Sequence, residues 1–490
     1  MAAYRGVARR GAYSAQRRAL ATFVDARAAN ETYTYRTRSA RFFARATTAT
    51  TYYILGGLGI SGSLVAAEYM QLRGGSAPRL MARRQASSAS GGSVPESNVA
   101  SFLDREREAL DAVIAGLAGA SITRATGRVF LVIGNQASDA DSIVSSLVVA
   151  RALRAGPLLG LDVRPGDVVI PVVSMKRADW SMRPETHQLM AEAGLDSRVC
   201  SGERLVFTDD AADGELFASK TLATLAARDQ LRIVLTDHNL SDCAALAPHT
   251  AHVAAIVDHH EDRGEHVAVK GGGRVVSFDP TEGVQRGVGS ACTLVAQLLA
   301  AQPGGAALLG AHGGQLATLL AGVVLLDTVN LDPKMGKTTA EDIAALDALS
   351  AARRAAGVPD ADATGALFER LARAKTDAAF WQSLSVEQTL QYDLKQYNSS
   401  RGSGSRGGDQ SGALSTAPPP YAIASALVSI DAIAEKCSDR ALTLHQAFSE
   451  FGARLDPSPA YVETIACAPA LSPPPRSPFR SPRATTRACG

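Results

Sequence analysis

Apolar segments that end in polar, aspartate-containing clusters recur along this chain, and this pattern constrains the fold more than any other feature. The segments at residues 128–133, 231–235 and 254–257 each have the composition of a buried strand. A fourth apolar run, 319–326, ends in the same way. Helical segments alternate with the predicted strands, which favours a parallel sheet with right-handed crossovers. The carboxyl ends of all its strands then lie along one edge, where such sheets bind ligands.

The residues that follow the apolar segments have side chains suited to divalent cations. Asp139 and Asp141 come after the first strand, where an ordinary helix N-cap would explain two acids equally well. Neighbouring residues on a strand point to opposite faces, so two adjacent imidazoles reach one metal only where a strand ends and the backbone turns. In chain order, the set is Asp139, Asp141, Asp237, Asp258, His259, His260 and Asp327.

Carboxylate and imidazole donors without a thiolate favour Mg²⁺, Mn²⁺ or Co²⁺ over structural zinc. Five or six ligands exceed what one open catalytic ion needs, which indicates two metals about 3.5–4 Å apart. Asp141 or Asp237 would bridge them, and an acidified water between the metals would attack a phosphorus. Asp258 is expected to accept an imidazole N–H and so to orient the ring.

Basic residues follow a further predicted strand at residues 167–173. Lys176, Arg177 and Arg183 would either face an anionic substrate or be solvated loop charges. For any one of them the sequence favours a solvated loop charge, and Arg183 is the candidate among them for substrate binding.

Asp258-His259-His260 resembles the signature of the DHH phosphoesterase superfamily. Three other segments resemble the remaining metal motifs of that superfamily and occur in the same order. The resemblance extends from about residue 102 to residue 433. Family II pyrophosphatases have His at the position of Asn135, whereas exopolyphosphatases and prune-like proteins have Asn. The segments 171–179 and 289–294 also resemble that branch. The three further motifs are Gly134-Asn135 with Asp139-Ala140-Asp141-Ser142, Asp237-His238-Asn239, and Leu326-Asp327-Thr328.

The resemblance implies an α/β DHH domain, a parallel sheet flanked by helices, followed by a smaller α+β DHH-associated C-terminal domain. It implies that His260 contacts metal or substrate phosphate, and that His266 and Lys395 help to bind phosphate, with Lys395 in an Asp-x-Lys element across the cleft. We expect Asp141, Asp237 and His260 to take part directly in catalysis. The metal ligands implied for two divalent cations are Asp139, Asp141, Asp237, His259 and Asp327.

Asn135 is expected to lie behind the ligands. As an amide oxygen is a weaker ligand than an imidazole, the Asn is expected to loosen one metal and to bias the site towards Mg²⁺. An Asn135→His variant is therefore expected to bind Mn²⁺ more tightly.

The function that the resemblance implies is an exopolyphosphatase-like hydrolase that removes terminal phosphate from inorganic polyphosphate. The alternatives are hydrolysis of pyrophosphate or another small phosphoanhydride, hydrolysis of a cyclic nucleotide, and a prune-like scaffold that binds phosphate without turnover. The first 100 residues carry fourteen Arg, no Lys and four acids. Since the net charge of the whole chain is +2, its body is acidic, which argues against nucleic acid as a partner.

The predicted domains are a leader at 1–100, the DHH domain at 101–345 and the C-terminal domain at 346–455. A flexible insertion is expected at 398–412, and a disordered Pro-rich tail at 456–490 would leave the second domain truncated and its turnover in doubt. The Arg-rich leader is typical of organellar, for example mitochondrial, targeting. The uncharged stretch 46–67 would contact or span a membrane. The family resemblance alone implies a cytoplasmic protein.

Overall fold

The computed structural model describes residues 98–118, 127–212, 214–279, 286–359, 361–397, 421–439, 442–455 and 461–466. Three predicted features lie outside these residues. They are nearly all of the leader, including the stretch 46–67, the insertion at 398–412, and the tail beyond residue 466.

A six-stranded parallel sheet forms the centre of the fold. Its strands are β1 (Val129–Ile133), β2 (Val168–Val173), β3 (Val206–Phe207), β4 (Leu231–Thr236), β5 (Val253–Asp258) and β6 (Arg274–Val276). They lie in the order β3-β2-β1-β4-β5-β6, and each neighbouring pair is parallel. The strand order reverses beside β1, which is the place where open α/β sheets bind ligands. The predicted parallel α/β architecture is confirmed.

Helices cover both faces of this sheet. Side chains alternate along β1, so Phe130 and Val132 enter one core while Leu131 and Ile133 enter the other. The first core contains residues of the helices Ala140–Ala155, Ala291–Ala301 and Gly305–Asp327, and the second contains residues of the helices Val99–Ala118 and Ser219–Ala227. The helices are α1 (Val99–Ala118), α2 (Ala140–Ala155), α3 (Pro184–Glu192), α4 (Ser197–Cys200), α5 (Ser219–Ala227), α6 (Ala291–Ala301), α7 (Gly305–Asp327), α8 (Ala340–Ala355), α9 (Thr364–Lys375), α10 (Ala378–Ser383) and α11 (Val386–Gln391).

The fourth apolar run of the sequence is helical. It forms the second half of α7, which is interrupted by non-helical backbone from Ala311 to Gly314 and ends at Asp327. Helix α7 is long and apolar enough to cross a membrane, but 83% of its most apolar stretch is buried inside the fold. It is therefore a core helix.

A three-stranded sheet follows in the chain. Its strands are β9 (Asp393–Tyr397), β10 (Tyr421–Ala426) and β11 (Tyr461–Ala466), and helices α12 (Ile430–Asp439) and α13 (Leu444–Arg454) lie between β10 and β11 in the chain. Strand β10 pairs antiparallel with β9 and parallel with β11. Strand β11 falls within the range predicted as disordered tail, so the structure differs from that prediction. Residues 461–466 are rich in strand-forming side chains and complete the sheet. A short hairpin, β7 (Phe278–Asp279) with β8 (Arg286–Gly287), precedes α6.

Candidate metal centre

Most of the residues predicted as metal ligands follow strands β1, β4 and β5 at the carboxyl edge of the parallel sheet. Strands β1, β4 and β5 are neighbours there, so the residues that follow them are brought together. Asp139 is the N-cap of α2, and its carboxylate accepts a hydrogen bond from Ser142 N at 3.0 Å. Asp327 arrives from the end of α7. We call Asp139, Asp141, Asp237, His259, His260 and Asp327 the Asp–His cluster.

Asp237 stands at the centre of this cluster. Its backbone has a φ of +61°, in the left-handed region that few non-glycine residues adopt. The backbone N–H donates to Val257 O at 2.8 Å, which holds the turn against β5. The Asp237 Oδ1 atom lies 3.3 Å from His259 Nε2 and 3.6 Å from His260 Nδ1. Ligand atoms of these three residues all lie within 4.8 Å of one another, an arrangement that can hold a metal ion.

Hydrogen bonds fix both imidazole rings. His259 Nδ1 lies 3.1 Å from Val288 O, so Nε2 is the nitrogen that faces the carboxylates. His260 Nδ1 lies 2.8 Å from Asp258 Oδ1. Asp258 is fully buried and also accepts from the Asn239 side chain. The structure thus places Asp258 beside an imidazole, where a carboxylate orients the ring.

Asn135 contacts Asp237 through its amide nitrogen. Nδ2 donates to Asp237 Oδ2 at 2.8 Å and to Asp237 O at 3.1 Å. The amide oxygen accepts from Ala137 N at 2.9 Å. The expectation that this oxygen acts as a weak metal ligand is therefore wrong for this geometry. The residue lies behind the ligands and orients Asp237.

Asp141 is held by the start of helix α6. Its Oδ1 accepts from Ser290 Oγ and from Cys292 N, both at 2.9 Å, and its Oδ2 accepts from Ala291 N at 2.7 Å. Oδ2 also lies 3.6 Å from His259 Nε2. These contacts fix the carboxylate within the cluster.

A buried aspartate that the sequence analysis missed supports this helix start. Asp342 is fully buried, and it accepts from Gly289 N and, at 2.6 Å, from Thr293 Oγ1. It also forms a capping box with Thr339 at the start of α8. The Thr339–Asp342 spacing was the available sequence signal, but it indicates a helix start and not a contact with a distant turn.

The carboxylates repel one another. Burial and the neighbouring Asp237 raise the pKa of Asp141 to about 7. Burial, together with Asp141 and Asp139, raises the pKa of Asp327 well above its ordinary value. Burial and Asp237 likewise raise the pKa of Asp139. Against the effect of burial, Asp237 and Asp141 raise the pKa of His259 to about 10. Although burial opposes this, His259, His260 and Ser142 hold the pKa of Asp237 below its usual range.

Two carboxylate oxygens of the cluster are buried without a hydrogen-bond partner. They are Asp237 Oδ1 and Asp327 Oδ2. An unpaired buried acceptor costs about 1–3 kcal/mol, and more when the group is charged. Mutual repulsion and unpaired oxygens are both relieved by a bound divalent cation. The residues present therefore fit the divalent metals that the resemblance implies.

Two lysines supply positive charge near the acids. Lys395 lies on β9 and lowers the pKa of Asp139 against the larger effect of burial. Lys375, at the end of α9, also lies near Asp139 and Asp327. Burial lowers the pKa of Lys375, but Glu185, Asp327 and Asp139 raise it above its ordinary value. The sequence analysis found Lys395 and missed Lys375, which no motif marks.

Arg183 does not face the site as predicted. The residue is 2% exposed, and its guanidinium donates to the backbone carbonyls of Ser138, Ala137, Met182 and Tyr392. All of these are structural contacts, so the assignment of Arg183 to substrate binding is wrong. It lies beneath the loop that carries Asp139.

Two other candidates, His266 and Arg177, have contacts outside the Asp–His cluster. His266 Nε2 accepts a hydrogen bond at 3.4 Å from the backbone N–H of Ser241, which lies four residues after Asp237 in the chain. Burial lowers the pKa of His266. Arg177 forms an ion pair with Asp210 at 2.7 Å and stacks on Phe207. Its guanidinium therefore has a structural partner.

Comparison with known proteins identifies the class of domain. Residues 129–326 match the DHH family, N-terminal domain. This match confirms the resemblance found in the sequence motifs.

Two curated relatives extend the comparison. The chain is 29% identical over 270 residues to exopolyphosphatase PRUNE1 of Bos taurus, which is 54% of this chain and 49% of that protein. It is 28% identical over 303 residues to the "putative exopolyphosphatase" of Schizosaccharomyces pombe, covering 60% of this chain and 66% of that protein. The chain thus spans about half the length of the PRUNE1 protein it matches.

One solved structure is also similar. It is described as the "putative family II inorganic pyrophosphatase" of Methanococcus jannaschii, with 16% identity and a TM-score of 0.41. The similarity covers 69% of this chain and 83% of that chain.

Proposed function

We propose that this chain is a metal-dependent phosphoanhydride hydrolase that releases terminal phosphate from inorganic polyphosphate. The observation that carries the proposal is the Asp–His cluster, in which Asp237 Oδ1 and Asp327 Oδ2 are buried without a hydrogen-bond partner. Burying so many acids together is energetically costly unless a cation offsets their charge. The names of the two curated relatives support polyphosphate as the substrate.

The residues that would hold two divalent cations, Mg²⁺ or Mn²⁺, are Asp139, Asp141, Asp237, His259 and Asp327. Bound there, such cations would offset the charge of phosphate oxygens and make a water molecule more acidic. Their ligand set has oxygen and imidazole donors only, which suits Mg²⁺ and Mn²⁺.

The protein side chains around the cations bind and orient the substrate. His260 is held by Asp258 through Nδ1, and its side chain is 40% exposed, which leaves Nε2 to meet a phosphate oxygen. Lys395 and Lys375 attract the anion from the side of β9 and α9. Asp141 and Asp237 keep fixed orientations through contacts with α6 and Asn135, so no reorganisation is needed when substrate arrives.

The test is phosphate release by the purified chain with Mg²⁺ or Mn²⁺ on four substrates: long-chain polyphosphate, tripolyphosphate, pyrophosphate and cyclic AMP. We expect release from polyphosphate, and loss of at least about 10³-fold in the Asp237→Ala variant with the fold retained. Asp347→Ala, which changes an exposed acid on α8, is the matched control and should keep full activity.

Each other outcome contradicts the proposal in a defined way. Activity on pyrophosphate or cyclic AMP alone would overturn the choice of substrate. Absence of activity on all four would favour a scaffold that binds phosphate without turnover. Undiminished turnover in Asp237→Ala would mean that the metal ligands are assigned wrongly.

A further inference from the structure

The loop that precedes Asp139 has a strained backbone. Ser138 adopts a φ of +47°, a left-handed conformation that costs energy for a residue with a Cβ. Ser138 is fully buried, and its N–H donates to Asn135 O at 3.0 Å. A strained residue directly before a candidate metal ligand persists only where its surroundings hold it.

Arg183 provides that support. Its Nε donates to Ser138 O at 2.6 Å, and one of its terminal nitrogens donates to Ala137 O. A guanidinium has a rigid, planar set of N–H donors that can bind several carbonyls at once, whereas the ammonium of a lysine lacks this planar arrangement. Arg183 therefore fixes both residues that lead into Asp139.

The same guanidinium reaches the element on the other side of the site. The nitrogen that contacts Ala137 also donates to Tyr392 O at 2.6 Å, and the guanidinium carbon lies 4.7 Å from the centre of the Tyr392 ring. The Tyr392 hydroxyl contacts Glu185 Oε2 at 3.1 Å, two residues after Arg183. Tyr392 is thus held at both its backbone and its ring by the start of α3.

Tyr392 directly precedes β9, which carries Lys395. A second contact joins the same two segments, because Gln136 Nε2 donates to Gln396 O at 3.4 Å. The loop 135–139 and strand β9 are therefore joined at two points, one of which passes through Arg183.

We propose that Arg183 is a positioning residue that joins the Ala137–Ser138 loop to Tyr392 and thereby sets the placement of Asp139 against Lys395 across the site. Its role as a phosphate-positioning device rests on the proposed function. Its effect on metal binding does not, so the two can be tested separately.

The experiment compares Arg183→Gln and Arg183→Lys with Arg177→Gln. Arg177 is the matched control because it also donates to backbone carbonyls, those of Gly202 and Leu205, in the same domain but away from the cluster. Mn²⁺ affinity is measured by calorimetry and folding by thermal unfolding. We expect both Arg183 variants to lose about 10–100-fold in Mn²⁺ affinity, and Arg177→Gln to stay within about twofold of the wild type.

A double-mutant cycle with Lys395→Gln separates positioning from general destabilisation. In the wild-type background Lys395→Gln should raise the KM for polyphosphate. In the Arg183→Lys background the same change should raise KM much less, because Lys395 is already misplaced. Arg183→Lys keeps the charge, so it is the variant to use if Arg183→Gln does not fold.

The outcomes distinguish the two proposals. Equal Mn²⁺ affinities in the Arg183 and Arg177 variants, or additive effects on KM, would overturn the role of Arg183. If the wild type hydrolyses no substrate, the proposed function fails, and the Mn²⁺ affinities still decide whether Arg183 positions the loop.

Discussion

Replacing Asp327 with Asn should stabilise the metal-free protein and remove its response to metal. Asp327 Oδ2 is buried without a partner, and burial together with Asp141 and Asp139 raises the pKa of Asp327 well above its ordinary value. The Asn side chain has nearly the same shape, carries no charge, and can donate a hydrogen bond to a neighbouring carboxylate. The structure thus assigns Asp327 an energetic cost that a bound cation would offset.

The size of the effect follows from the unpaired oxygen. Relieving one buried unpaired acceptor should raise the free energy of unfolding in EDTA by about 1–3 kcal/mol. This corresponds to a rise in Tm of about 2–4 °C per kcal/mol. With Mn²⁺ at about 1,000 times its Kd, the wild type should gain about 4.1 kcal/mol, which exceeds the benefit of the Asn. The order of stability should therefore reverse when the metal is added.

Thermal unfolding of Asp327→Asn and wild type, in EDTA and in a Mn²⁺ series, measures this reversal. Asp347→Asn, an exposed change on α8, is the control and should follow the wild type in both conditions. A variant less stable than the wild type in EDTA would refute the repulsion between the acids. An equal gain with Mn²⁺ would refute Asp327 as a ligand.

Two further predictions concern the support of the site. Asp342→Asn should weaken Mn²⁺ affinity about tenfold, because Asp342 holds the Gly289 turn from which Ser290 contacts Asp141, and an unchanged calorimetric titration would contradict this. Asp167→Asn should lower the free energy of unfolding in urea by about 1.5–3 kcal/mol at pH 7, because Asp167 accepts charged hydrogen bonds from Arg128. Although burial opposes it, Arg128 lowers the pKa of Asp167 below its ordinary value of 3.8. The difference should therefore persist above pH 3.8 and fade as the pH drops through the lowered pKa, and a difference that grows with acid would be inconsistent.

The parallel sheet was predictable because its strands are short and apolar and are separated by helices. The acids after β1, β4 and β5 could be placed for the same reason, since the ends of parallel strands share one edge. Asp327 was placed at the site by the same pattern, but its apolar run is a helix. A short apolar run does not distinguish a buried strand from a buried helix by periodicity alone.

The supporting contacts could not be predicted, since they depend on the tertiary fold. Ser290 and Asp141 are 149 residues apart in the chain and meet only when α6 packs beside α2. Arg183 was assigned to the substrate because it is a basic residue that follows a predicted strand. Its burial is explained by four backbone carbonyls that no sequence motif marks. The direction of the Asn135 amide likewise depends on Asp237 and Ala137.

The most direct measurement is anomalous X-ray scattering from crystals of the protein soaked in Mn²⁺. The account predicts two peaks within the Asp–His cluster, with Asp237 Oδ1 and His259 Nε2 at about 2.0–2.5 Å from manganese. Peaks at other places on the protein, with Asp139, Asp237 and Asp327 free of metal, would contradict it.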